Sequence, residues 1–165
     1  MRWQSELDTA AFARILAIKP ALIEAVVELQ GELGTGKTTF ARHLLTALGV
    51  QGRIKSPTYA VVESYSGVTN LFKGAAPFDI WHFDFYRFND PEEWEEAGFR
   101  DIFSSKGLKL VEWAEKAGDH QPEPDLVIAL QCPPVGLAEM ALEGAEGIRL
   151  VSLQACTPLG KELLE

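Results

Sequence analysis

Residues 31–39 read GELGTGKTT and match the pattern G-x-x-x-x-G-K-[ST] at every fixed position. A loop that wraps a phosphate chain points several backbone N–H groups at one oxygen cluster, and glycine adopts the backbone angles that this requires. Lys37 would add a positive charge at the β and γ phosphates, and Thr38 would supply a hydroxyl ligand for Mg²⁺. A helix that starts at this point also directs its positive dipole end toward the anion. The segment therefore predicts a nucleotide-binding loop.

The motif needs a strand before it and a helix after it, because a glycine-rich turn can match it by chance. Residues 25–29 (AVVEL) read as a short buried strand. Apolar residues within 40–48 recur at helical spacing, and the pattern ends at Gly49. Both flanks favour the phosphate loop over the chance turn.

The rest of the chain predicts an α/β fold. We expect a helix that begins at Ser5 or Asp8 and stops before Pro20, strands at 59–65, 78–84, 107–113, 125–130 and 148–153, a loop at 66–77, and helices at 90–96 and 158–164. Strands outnumber helices after residue 50, which favours a mixed, mainly parallel central sheet flanked by helices. With 165 residues, the chain fits one well-buried domain, so 1–165 is predicted to be a single P-loop NTPase domain.

Composition indicates the class of protein and the cellular compartment to expect. The apolar fraction of 47% and the charged fraction of 24% are typical of soluble globular proteins. No apolar run approaches membrane-spanning length and no basic, then apolar leader opens the sequence, so we expect a cytoplasmic protein without a membrane partner. Cys132 and Cys156 lack metal-ligand spacing and are predicted to be reduced thiols with structural roles.

The net charge of −9 argues against a protein that binds nucleic acid without a partner. Residues 33–62 contain no acid, whereas residues 63–101 contain nine. The phosphate-binding part is therefore locally cationic, and the acidic part is either an ordinary solvated face or a surface for a partner protein. The segment 90–96 is the most acidic stretch, and we expect its Trp94 to be exposed.

Two acids close predicted strands where a metal would need its second anchor. Asp84 ends the strand at 78–84, and such an acid either ligates the metal of a phosphate-loop NTPase or merely forms a turn. Glu112 lies near the end of the strand at 107–113, where it would ligate the metal, orient the attacking water, or simply be a solvated acid.

Three further residues have a structural and a functional interpretation. Thr58 follows Ser56-Pro57, where a switch residue would sense the γ phosphate, although the same segment reads as a rigid loop entry. His82 shares a strand face with Asp84 and is predicted to be a packed or hydrogen-bonded residue. Trp113 would stack on adenine or belong to the core, the second being the default.

The order of motifs resembles the bacterial TsaE family from about Ser5 to about Glu115. The phosphate loop alone is unspecific, but the set at these distances is highly specific. It comprises GELGTGKTTF (31–40), KSPTY (55–59), HFDFYR (82–87), DPEE (90–93), Gly98 and VEW (111–113).

The resemblance implies an ATPase that uses Mg²⁺ and works with the TsaB and TsaD proteins in making threonylcarbamoyl-adenosine in tRNA. It further implies that the ATPase acts when docked on these partners. The net charge of −9 adds the expectation that the chain reaches tRNA only through the complex. The family pattern implies that Thr38 and Glu112 bind Mg²⁺ and that Asp84 is the strand-end acid, with Thr58 in a switch-like segment and Ser5 near the base. The residues around the ATP phosphates would be Gly34, Thr35, Gly36, Lys37, Thr38 and Thr39.

The chain departs from the family pattern in places. Phe85 replaces the usual leucine, which a hydrophobic pocket should tolerate, and residues 66–77 form a longer segment than is usual. Residues 132–147 show no clear match. Arg149 is the candidate for the arginine that the family carries near its last strand.

Other nucleotide-dependent functions compete with the ATPase. A small-molecule kinase of the P-loop class would close an arginine-rich lid, but the arginines here are scattered. A GTPase would need Asn-Lys-x-Asp, which is absent. A nucleotide-gated binding module with negligible turnover is the third class, and hydrolysis measured with and without partners distinguishes it.

Overall fold

The computed structural model describes residues 1–69, 76–134 and 147–165. The strands in these ranges are β1 (Arg2–Trp3), β2 (Val26–Gln30), β3 (Val62–Thr69), β4 (Ala76–Asp84), β5 (Leu108–Glu112), β6 (Leu126–Gln131) and β7 (Arg149–Ala155). The helices are α1 (Glu6–Ala17), α2 (Lys37–Ala47), α3 (Glu92–Glu96), α4 (Phe99–Ser104) and α5 (Pro158–Leu164). Short 3₁₀ turns cover Pro20–Glu24, Ala114–Lys116 and Gly118–His120.

The described strands form one mixed sheet in the order β1-β7-β6-β2-β5-β4-β3. The central strands β6, β2, β5 and β4 are parallel. Both margins are antiparallel, because β3 pairs with β4 on one side and β7 and β1 follow β6 on the other. The predicted α/β fold with a mixed sheet flanked by helices is confirmed, and its parallel part is confined to the centre.

Helices cover both faces of the sheet. Leu110 and Val111 are adjacent on β5, so their side chains point to opposite faces, and each belongs to a different buried apolar cluster. The cluster around Leu110 includes residues of α1, α2 and α5. The cluster around Val111 includes residues of α3 and α4 and is rich in aromatic rings. This sandwich fixes the central strands and therefore fixes what lies at their ends.

The aromatic cluster accounts for two features of the sequence. Trp94 is 1% exposed, which corrects the expectation that it lies on the surface, because α3 packs its inner face on Phe103 with ring centroids 5.5 Å apart. Phe85 is buried and lies 4.8 Å from Phe88 between ring centroids. An apolar pocket thus accommodates the phenylalanine that replaces the usual leucine.

The predicted strand at 59–65 and loop at 66–77 are shifted in the structure. Residues 57–61 close a turn, in which the Val61 N–H donates to the Pro57 carbonyl at 2.6 Å, and β3 begins only at residue 62. Gly67 lies within β3, opposite Phe78 of β4, and the Phe78 ring occupies the space that a Cβ would need, 2.7 Å away. Residues 70–75 of the predicted loop lie outside the described residues.

Other boundaries also differ from expectation. Strand β1 and helix α4 were not predicted from the sequence, and α3 starts after Pro91 rather than at residue 90. Most of the unmatched segment 132–147 lies outside the described residues. Cys132 and Cys156 are unpaired, as predicted, although Cys132 is exposed. In the described part of the chain, no helix is long and apolar enough to cross a membrane.

Candidate nucleotide-binding site

The loop between β2 and α2 depends on glycine for its course. Gly31, Gly34 and Gly36 have φ values of 140°, 82° and 102°, a region that other residues rarely adopt. A Cβ on Gly31 would also lie 2.3 Å from the carbonyl oxygen of Leu130 on β6. Gly36 is the N-cap of α2, so the positive end of that helix opens into the loop. The loop and helix together form a concave surface suited to an anion.

Lys37 is the first residue of α2 and is buried. Its Nζ donates to the carbonyl oxygens of Gly31 at 2.5 Å and Glu32 at 2.9 Å. It also lies 4.1 Å from the centre of the Trp113 ring. Burial lowers the pKa of the Lys37 ammonium, and the negative charge of Glu112 opposes this shift. The lysine is thus held against the loop by carbonyl oxygens and an aromatic face.

Glu112 connects the loop helix to the sheet. Its Oε2 accepts a hydrogen bond from Thr38 Oγ1 at 2.9 Å, and its Oε1 lies 2.8 Å from His82 Nε2. The side chains of Glu112 and His82 are only 2% and 1% exposed. The carboxylate is therefore fixed at both oxygens, and His82 is the hydrogen-bonded strand residue that the sequence predicted.

Asp84 connects the 55–59 segment to the sheet. Its Oδ2 accepts from Thr58 Oγ1 at 2.6 Å, and its Oδ1 accepts from the Tyr86 N–H at 2.9 Å. The Asp84 N–H donates to the carbonyl of Val61 at 2.9 Å. Val61 has a φ of 67°, an unfavourable conformation for a β-branched residue. These contacts hold Thr58 at the carboxyl end of β4.

A cleft of about 240 Å³ brings most of the predicted site residues together. Its wall consists of Leu33, Gly34, Gly36, Lys37, Thr38, Thr39, Thr58, Asp84, Tyr86, Glu112 and Trp113. Trp113 lies in this wall with its ring centroid 5.0 Å from that of Tyr86, and it is half-buried and also packs against the aromatic cluster around Val111.

Thr35 and Ser5 are placed differently. Thr35 faces an adjoining pocket of about 160 Å³, to which Arg149 and Glu6 also contribute. Ser5 is the N-cap of α1 and lines neither cavity. Its Cα lies within 3.6 Å of where a Cβ on Gly147 would stand, and Gly147 lines the adjoining pocket. Ser5 is therefore next to this second pocket and outside the main cleft.

Arg149 supports the loop from β7. Its Nε donates to the Thr35 carbonyl at 2.8 Å, across 114 residues of sequence. This arginine was noted in the sequence only through the family resemblance, because no local pattern links it to the loop. Tyr86 was noted only as part of the HFDFYR motif and was given no role, although its position two residues after Asp84 was a usable signal.

The oxygen ligands suit a hard cation. Thr38, Asp84 and Glu112 offer one hydroxyl and two carboxylates at the cleft. Among residues 1–69, 76–134 and 147–165, no group of three or more His, Cys, Asp or Glu side chains is arranged to hold a metal ion. Mg²⁺ is typically held by one or two protein carboxylates together with water and phosphate oxygens.

Comparisons with known proteins agree on one family. The family model for "Threonylcarbamoyl adenosine biosynthesis protein TsaE" matches residues 3–134. The tRNA threonylcarbamoyladenosine biosynthesis protein TsaE of Haemophilus influenzae is 37% identical over 153 residues, which cover 93% of this chain and 84% of that protein. The corresponding protein of Bacillus subtilis is 35% identical over 126 residues, covering 75% of this chain and 72% of that protein.

A solved structure has a similar fold. The crystal structure of Bacillus subtilis YdiB superimposes with a TM-score of 0.69 and 25% sequence identity, covering 99% of this chain and 89% of that one. The match to the family model and the identity to its members show that this chain belongs to the TsaE family of tRNA threonylcarbamoyladenosine biosynthesis.

Proposed function

We propose that this chain is a P-loop NTPase that binds and hydrolyses Mg²⁺-ATP in support of threonylcarbamoyl-adenosine synthesis on tRNA. The observation that carries the proposal is the convergence of Lys37, the Thr38–Glu112 pair and the Thr58–Asp84 pair on one cleft. A glycine loop between a parallel strand and a helix, with acids at the ends of the adjacent strands, is the arrangement that phosphoryl-transfer proteins of this class need.

The donor set of the cleft fits Mg²⁺. Thr38 and Glu112 would hold the ion, and Asp84 would lie next to them at the end of β4. When bound, Mg²⁺ neutralises charge on the β and γ phosphates and orients them. The Thr38 hydroxyl and the Glu112 carboxylate already contact each other at 2.9 Å, so the protein contributes ligands that are pre-positioned.

Each of the chain's own groups would have a separate role around the triphosphate. The loop amides and the end of α2 bind the phosphates, and Lys37 adds a cation that its carbonyl contacts keep close to the loop. Asp84 and Glu112 then divide two tasks, namely holding the metal and orienting the attacking water. Thr58, held by Asp84, would respond to the γ phosphate and so move the 55–59 segment.

We place this activity within an assembly that contains TsaB and TsaD. The family name assigns the chain to tRNA threonylcarbamoyladenosine biosynthesis. A net charge of −9 gives the isolated chain little attraction for tRNA, so contact with RNA would come through partner proteins. Hydrolysis would then be slow alone and faster when the chain is docked.

The test is a paired measurement of binding and turnover. Calorimetry with ATP and Mg²⁺ should show saturable binding by the isolated chain, and phosphate release should rise when TsaB and TsaD are added. Release of inorganic phosphate without a phosphorylated small molecule would also separate the ATPase from the kinase alternative. Absence of ATP binding, or the same turnover with and without partners, would contradict the proposal.

A further inference from the structure

His82 is buried beside the cleft but does not line it. The residue lies on β4 two positions before Asp84, so both side chains point to the same face of the sheet. Its register partner on β5 is Leu110, and Glu112 lies two residues further along that strand. His82 therefore reaches diagonally to Glu112 from beneath the layer of residues that forms the cleft wall.

The contact is directional. Glu112 Oε1 lies 2.8 Å from His82 Nε2, while Glu112 Oε2 accepts from Thr38. His82 Nδ1 has no hydrogen-bond partner within the described part of the chain. Because the Glu112 carboxylate can only accept, the hydrogen bond runs from a proton on His82 Nε2 to Oε1. The ring is thus arranged to serve one neighbour, the carboxylate.

Glu112 needs such a support because its side chain has three rotatable bonds and is buried. Without His82, no hydrogen bond within the described residues would reach Oε1, and a buried carboxylate oxygen without a partner is costly. The carboxylate would then gain by rotating away from Thr38. A hydrogen bond to one oxygen is what aims the other oxygen at the loop helix.

We infer that His82 is a positioning residue, which fixes the Glu112 carboxylate for the metal ion that accompanies the nucleotide. The inference rests on the proposed function, since it assigns His82 to the support of a metal-binding carboxylate. Groups that orient a ligating side chain typically change metal affinity or activity by about 10- to 100-fold when they are removed.

The test compares two amides that differ by one methylene. In His82→Gln the side-chain amide nitrogen falls at the place of Nε2 and still reaches Glu112. In His82→Asn the amide nitrogen falls at the place of Nδ1 and stops short, and His82→Leu removes the donor while filling the space. We expect His82→Gln to retain near wild-type affinity for ATP with Mg²⁺. In His82→Asn and His82→Leu this affinity should fall roughly tenfold.

A second readout separates positioning from a general packing defect. ADP affinity in EDTA should be the same for all four proteins, because the loop and Lys37 bind the phosphates without the metal. In a Glu112→Gln background, His82→Asn should cause no further loss of Mg²⁺-dependent affinity, since both changes remove the same contact.

Several outcomes would overturn the inference alone. One is an equal loss of ATP affinity in His82→Gln and His82→Asn, and another is an equal loss of nucleotide affinity with Mg²⁺ and in EDTA. A third is a loss of affinity in the double variant that equals the sum of the losses in the two single variants. Asn and Leu variants that fail to fold where Gln folds would make His82 a folding residue and would overturn it as well. Wild-type protein that binds no ATP at all would instead overturn the proposed function, and the inference with it.

Discussion

Asp84 and Glu112 are register partners at the carboxyl ends of β4 and β5. Neighbouring strands lie about 4.8 Å apart, so the two carboxylates stand next to each other at the cleft. Each has its own hydroxyl partner, which is Thr58 for Asp84 and Thr38 for Glu112. The pair therefore joins the 55–59 segment and the loop helix to adjacent strands of one sheet.

This arrangement predicts that the two acids matter more for turnover than for binding. Asp84→Asn and Glu112→Gln should each lower kcat for ATP hydrolysis on the order of a hundredfold. ATP affinity should fall less, because the loop backbone and Lys37 still hold the phosphates. Phosphate release and calorimetry on the same samples measure the two effects. The control is Asp101→Asn, which makes the same chemical change at an exposed position on α4. Equal losses of kcat and of ATP affinity in Asp84→Asn or Glu112→Gln would contradict the prediction.

Lys37→Ala should weaken ATP binding by about 2 kcal/mol, the size of a charge-assisted contact. The fold should survive, because burial already disfavours the charged ammonium and lowers its pKa. Lys106→Ala is a matched control, since Lys106 is exposed just before β5, at the end of that strand away from Glu112. Calorimetry that finds the same affinity for Lys37→Ala and Lys106→Ala would remove Lys37 from the site.

The parts of this structure that depend on local pattern could be predicted. The glycine loop, Asp84 and Glu112 were all found because each lies next to an apolar strand within a few residues of sequence. Arg149 was noted only through the family resemblance and Trp94 was wrongly expected to be exposed, because the environments of both residues come from the fold. Arg149 meets the loop only after the chain has crossed to β7, and Trp94 is covered by an aromatic cluster that no single segment contains.

The shift of β3 has a different physical cause. Val61 adopts a left-handed backbone conformation that propensity disfavours, and the turn at 57–61 thereby displaces the start of the strand. Gly67 looked like a loop residue, yet Phe78 from the neighbouring strand fills its missing side chain. Both effects depend on contacts between strands, which a reading of one segment at a time does not contain.

Gly31 should be intolerant of any side chain. In Gly31→Ala the new Cβ would lie 2.3 Å from the Leu130 carbonyl oxygen, so both the melting temperature and ATP affinity should fall. Gly52→Ala is the matched control, because Gly52 also has a positive φ but no atom of the described residues within 4 Å of the place that its Cβ would take. It should show only the left-handed backbone cost of about 1 kcal/mol. Equal melting temperatures for the two variants would mean that the contact with Leu130 is unimportant.

The buried carboxyl of Glu28 should make the stability of the folded state depend on pH. The residue is buried on β2, burial raises its pKa, and Gln30 Nε2 donates to its Oε1 at 2.7 Å. A raised pKa in the folded state means that this carboxyl favours folding at low pH and loses that contribution as the pH rises through the folded pKa. Glu28→Gln should therefore raise the melting temperature at neutral pH, by a margin that shrinks toward acidic pH. A margin that stays constant across the pH series would contradict this account.

The acidic segment 90–96 offers the clearest test of partner docking, and the structure selects which acids to change. Glu92 and Glu96 are exposed and lie one helical turn apart on α3, whereas Glu93 Oε1 accepts from the N–H groups of Asn89 and Asp90 and so caps the helix. Glu92 Oε1 lies 3.6 Å from His120 Nε2, but such an exposed ion pair contributes little to stability. Reversing only the exposed pair should therefore leave the fold intact while removing negative charge from this face.

We expect Glu92→Lys with Glu96→Lys to slow association with the TsaB and TsaD assembly and to lower partner-stimulated ATP hydrolysis, with little change in ATP affinity. The defect should shrink as salt rises through about 0.15 M, because screening weakens charge steering.

Glu162→Lys with Glu165→Lys makes the same change in net charge at exposed positions near the end of the chain, and should have less effect. Stopped-flow association rates measure the difference. Equal defects in the two double variants would mean that net charge matters and the α3 face does not, and steeply salt-dependent tRNA binding by the isolated wild-type chain would contradict partner-mediated contact with RNA.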